Sequence, residues 1–65
     1  MKVKYFSDTD TLYIEFRTND IAESKDLDQN TILDLDGDGN VCAITFEQAS
    51  TRTDVKRLTV EGIAA

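Results

Sequence analysis

The stretch ILDLDGDGNVCAI, residues 32–44, sets two alternating apolar runs on either side of Asp36-Gly37-Asp38-Gly39-Asn40. Two structures answer to these letters. In a calcium loop, Asp34, Asp36 and Asp38 would supply the first carboxylates, Gly39 the sharp bend and Val41 the apolar residue that follows. The bidentate acid that closes such a loop is then replaced by Thr45, which offers at most one neutral oxygen. Cys42 falls where a water-binding or acidic side chain is usual, and its sulfur suits a hard cation poorly. Glu47 comes two residues too late, and the flanks alternate like strands where the loop needs helices. In a hairpin, by contrast, Asp, Gly and Asn are the types that accept positive φ and bond nearby backbone N–H groups. The hairpin is the preferred reading, with weak calcium binding at Asp34, Asp36 and Asp38 as the alternative.

Period-two alternation extends outward from this turn in both directions. On the N-terminal side, residues 31–35 place Leu33 and Leu35 on one face. On the C-terminal side, residues 41–48 place Cys42, Ile44 and Phe46 together. Leu12, Ile14 and Phe16 alternate with polar residues over 11–17, and Val3 and Tyr5 do so over 2–6. Ser7 to Asp10, SDTD, supplies turn-forming side chains, so these two strands form a hairpin. Residues 20–28 hold few apolar side chains and read as a short polar edge strand, where charge discourages unwanted pairing. Past Ser50 the pattern changes. Ser50, Thr51 or Thr53 could cap a helix of one or two turns, with Val55 and Leu58 on one side, before a short extended tail. The expected fold is mainly β, α+β at the margin: a single domain over 1–65, with about five strands in an antiparallel meander and a short C-terminal helical element. Its core is expected at Val3, Tyr5, Leu12, Ile14, Phe16, Leu33, Leu35, Ile44 and Phe46.

A 65-residue domain buries only about 60% of the surface its unfolded chain exposes, and it normally needs a disulfide, a metal or self-association. Cys42 is the one cysteine, so no disulfide forms within the chain. A lone thiol beside Ile44 and Phe46 is expected to be buried and structural. One sheet with one short helix leaves an apolar face to cover. A second copy packing sheet against sheet is the simplest cover, and a homodimer is expected. The N-terminus has no apolar signal-like core, no apolar run has membrane-spanning length, and a cytoplasmic location without membrane contact is expected.

The net charge is −6, and residues 20–38, with seven acidic side chains against Lys25, carry all of it. An acidic middle repels phosphates, so no nucleic-acid partner is expected, whereas a basic protein partner is electrostatically suited. Asp26, Asp28, Asp36 and Asp38 are the candidate contacts for it. Arg52, Lys56 and Arg57 are expected to form salt bridges to this acidic segment, in the same or a second chain. The chain has no histidine. Ser/His/Asp and Cys/His catalysis and mixed Cys/His zinc sites therefore cannot be built. No spacing singles out a carboxylate pair, and no lysine follows the Gly37–Gly39 turn to make a phosphate loop. No catalytic residue and no cofactor site is assigned, and enzymatic activity is not expected.

MKVKYFSDTDTLYIEF, the following IAES and then TILDLDGDGNVCAITFEQAS resemble the small prokaryotic domain-of-unknown-function family 2283, over residues 1 to about 50. The shared pattern is a Lys-x-x-Tyr strand, a Leu-Tyr-Ile strand, and an apolar-Leu-Asp-Leu-Asp turn entering a strand that ends in Ala-Ser. The family has no established activity and no catalytic residues to carry over. The resemblance implies a free-standing β-rich protein with an antitoxin-like or other protein-binding role. Gly37-Asp38-Gly39 departs from the family's turn in the direction of the calcium pattern.

Overall fold

The computed structural model describes residues 1–62; the end of the expected tail, residues 63–65, lies outside them. Five strands form one antiparallel sheet: β1 (Lys2–Phe6), β2 (Thr11–Glu15), β3 (Glu23–Asp28), β4 (Thr31–Leu35) and β5 (Val41–Phe46). The alternating segments are the strands, and the only helical element among the described residues is a 3-10 turn, η1 (Ala49–Thr51).

The strand order is β1-β2-β5-β4-β3. Hairpins join β1 to β2 and run β3, β4 and β5 side by side, as a meander would. The two parts meet through β2 and β5, however, so that β2 to β5 form a Greek key and not a meander in chain order. The charges explain why. A meander would put β3 at the centre, but its Glu23, Lys25, Asp26 and Asp28 need solvent, and β3 lies at the edge. The centre falls to β5, whose Cys42 and Ala43 are fully buried.

Register gives the sheet an apolar face. Val3 stands opposite Ile14, Ile14 opposite Ile44, and Ile44 opposite Leu33. Tyr5, Leu12 and Phe46 form the next row. The expected core residues thus share a face, apart from Phe16, which follows the end of β2. None of the nine is buried, and Val3, Tyr5 and Phe16 remain more than a third exposed. The reason is thickness. The molecule measures 36 × 33 × 17 Å, and two packed sheets alone would be about 10 Å apart before their outer side chains are added. The segment after η1 lies beside this face, where Val55 and Leu58 line a groove with Val3, Leu12 and Ile14.

The helix expected after Ser50 is replaced by η1 and successive turns. Thr51 Oγ1 donates to the Gln48 carbonyl at 2.8 Å and Thr53 Oγ1 to that of Ala49 at 2.9 Å. Such side-chain bonds compete with helix propagation. Gln48, entering η1 with φ 54°, offers no side-chain cap.

The Asp36–Asn40 loop is the hairpin turn expected from its composition. Gly39 N–H donates to the Asp36 carbonyl at 3.1 Å and Asp36 N–H to that of Asn40 at 3.0 Å. Of its two glycines, only Gly39 has positive φ, 82°. Both have open space where a Cβ would stand, so backbone conformation alone separates them. Gly39→Ala is expected to cost about 1–2 kcal/mol. Gly37→Ala is expected to be neutral or to stabilise by up to about 1 kcal/mol through the unfolded chain. Urea melts of the two variants check this, and equal effects would contradict the turn geometry.

Candidate functional site

Three polar clusters and one apolar surface could carry function. The first cluster is centred on Asp36, at the end of β4. Its Oδ1 accepts the Asp38 N–H at 3.0 Å and the Asn40 N–H at 2.9 Å. Its Oδ2 accepts from the side-chain amides of Asn19 at 3.0 Å and Asn40 at 3.2 Å. Asn19 belongs to the 16–22 connection, which crosses this end of the sheet. That connection starts with Phe16 and Arg17 N–H groups on the Cys42 carbonyl, at 2.7 and 3.2 Å, and ends with Ala22 N–H on Leu35 at 2.8 Å. The Asn19 amide, followed by the Asn40 N–H, holds the Asp36 carboxyl down to about 2, because hydrogen bonds to a carboxylate favour its charged form.

This arrangement bears on the calcium alternative. Both Asp36 oxygens already serve two donors each, so a cation there would have to displace a folded turn. Asp34 accepts the Ser24 hydroxyl at 2.7 Å across the β3–β4 pair, and Asp38 is exposed. Among the described residues no three His, Cys, Asp or Glu side chains are grouped to hold a metal ion.

The second and third clusters lie at the opposite end of the sheet. Asp10, in the left-handed region with φ 53°, accepts the Tyr5 hydroxyl at 2.6 Å and the Ser50 hydroxyl at 2.7 Å. These two bonds, Tyr5 first, lower the Asp10 carboxyl below its usual range. Nearby, Arg52 donates to the Asn30 carbonyl at 2.7 Å and the Thr31 hydroxyl at 2.6 Å. Its guanidinium lies 5.3 Å from the Phe46 ring centre and 3.6 Å from Asp28. The expected pairing of the C-terminal bases with the acidic segment is therefore made by Arg52, within the chain. Arg57 instead stands 4.0 Å from Asp54, an exposed pair that contributes little. Composition offered no signal for Asn19 or for the wider role of Asp10, because each acts on partners distant in sequence.

The four candidate partner contacts do not converge. Asp26 and Asp28 lie at the β3–β4 turn, whereas Asp36 and Asp38 lie in the β4–β5 turn at the other end of β4. Asp36 is buried; Asp26, Asp28 and Asp38 are exposed, and of these Asp28 is engaged by Arg52.

The apolar surface is the face carrying Val3, Ile14, Ile44 and Leu33. Beside the 53–58 segment it forms an open groove of about 270 Å³. That is below the roughly 300–1,000 Å³ of ligand pockets, which are also more enclosed. Cys42 is buried, its thiol directed at the Asn40 carbonyl at 3.7 Å. Among the described residues no helix is long and apolar enough to cross a membrane.

Fold and surfaces together define a small single-sheet β protein. The family model of DUF2283, described as a protein of unknown function, matches residues 2–50. The chain belongs to that family. No curated protein and no solved structure matches the chain.

Asp36 accepts only from donors, so Asp36→Asn puts an NH2 group against two of them. The variant is expected to melt at least about 5 °C lower despite its matching shape. Acid should act the same way. The folded-state value is depressed, so this stability is complete above the unfolded value of 3.8 and is lost as pH falls toward about 2. Thermal melts between pH 6 and 2 check both points: the variant's curve should be flatter than that of the parent.

Proposed function

We propose that the chain is a non-catalytic protein-interaction module that works as a homo-oligomer and presents an acidic surface to a basic protein partner. One observation carries this reading: the sheet is a single layer whose apolar face is covered along one side only. Among the described residues the buried apolar side chains are Cys42, Ala43 and Ala49, too few and too small for an independent core. Self-association is the remaining source of burial. The exposed acidic residues at both ends of β4, Asp26 and Asp28 at one and Asp38 at the other, support electrostatic capture of a basic partner. An antitoxin-like role in a prokaryotic cytoplasm is consistent with that chemistry.

Light scattering at high micromolar concentration is expected to return a multiple of the chain mass. A folded species of single-chain mass there ends the oligomer reading. A basic partner co-purified from the native host should be released by about 0.5 M salt, where screening shortens to a few ångströms; retention at that salt would count against an electrostatic contact.

A further inference from the structure

We infer that a second copy of this chain docks on the apolar sheet face, making a two-fold sandwich of two sheets; this rests on the oligomer reading above and specifies its surface. The first support is area. The chain exposes 5027 Å², whereas a compact monomer of 7.3 kDa exposes about 4,200 Å². The excess, roughly 800 Å², is what one partner contributes to a stable interface of ordinary size. Exposed apolar side chains lie on the sheet face, Val3 and Tyr5, and in the C-terminal segment, where Leu58 and Val60 are 69% and 61% exposed.

The second support is pattern. Val3, Ile14, Ile44 and Leu33 form an uninterrupted apolar row across four strands. The opposite face carries Lys2, Lys4, Glu15, Asp34 and Asp26 in the same registers, and cannot be dehydrated in the same way. Charges at the rim of the apolar face come in both signs. Asp54 and Arg57 flank the groove, and Glu23 and Lys25 stand beside Leu35 and Leu33. A two-fold stack therefore meets no block of like charge.

The edges are the competing surfaces, and their charges oppose closed pairing. Two β1 edges would bring Lys2 and Lys4 against their own copies, and two β3 edges would bring together six acidic side chains, Glu23, Asp26 and Asp28 from each, against two copies of Lys25. Pairing β1 to β3 is heterologous, and a flat sheet extended that way does not close. The face gives a closed dimer without such repulsion.

Val3 and Leu58 are exposed enough for substitution without emptying a core. The double variant Val3→Lys/Leu58→Lys is expected to weaken self-association at least about 100-fold in sedimentation equilibrium. Phe6→Lys on the opposite face should leave it unchanged. Hydrogen exchange of the native chain across a dilution series provides a test that needs no variant. In a face-packed dimer the outward amides of β1 and β3 exchange equally fast at every concentration. Dimer retention by the folded double variant, or protection of edge amides that grows with concentration, overturns the face assignment while leaving the oligomer reading intact. A native chain that stays single at high micromolar concentration overturns both.

Discussion

The carboxylate of Asp36 ties together, through side-chain bonds, two parts of the chain at one end of the sheet. One is the turn between β4 and β5. The other is the 16–22 connection, which must carry the chain from β2 across the ends of β5 and β4 to the far edge. A crossing segment of this kind contains backbone groups that no ladder satisfies, and it stays in place only where its ends and middle are anchored. Phe16, Arg17 and Ala22 anchor the ends through backbone bonds, and Asn19 anchors the middle through Asp36. A charged acceptor suits this position because all four of its partners are donors and its charge strengthens each bond. The crossing is thus anchored at its middle by a residue whose sequence context suggested a metal ligand.

The other end of the sheet is organised by the segment after β5. Asp10 accepts from Ser50, and Arg52 donates to the β3–β4 turn, so η1 and the residue after it close both outer hairpins over the same end. The family match stops at residue 50. Arg52 and the apolar side chains Val55 and Leu58, which give the sheet face its partial cover, therefore belong to the part of this chain beyond the family pattern. The face beneath them lies within the matched residues.

Local alternation was legible in the sequence: residues 2–6 and 31–35 coincide with β1 and β4, and the polar character of 20–28 marked an edge. A meander and a polar edge strand at 20–28 were incompatible expectations, since the third of five strands in a meander is central. Charge on Glu23, Lys25, Asp26 and Asp28 decided between them. Burial was not legible, because alternation says which side chains share a face but not whether a second layer exists to cover it. Nor was the Asn19–Asp36 bond. A polar loop residue has no periodicity, and its partner lies 17 positions away. The acidic residues were individually visible, while their division between internal bonds and free surface depended on those long-range partners.

The pairing of β2 with β5 has a kinetic side. Every other strand pair joins neighbours along the chain, and each can form as a local hairpin. Leu12 meets Phe46 only after the whole 3-4-5 ribbon has been brought back beside β2. The entropy of closing that loop falls on one event, with little reward until several contacts form together. The chain is in this sense two quickly formed ribbons and one slow join, and the time it spends with the edges of β2 and β5 open is set at that join.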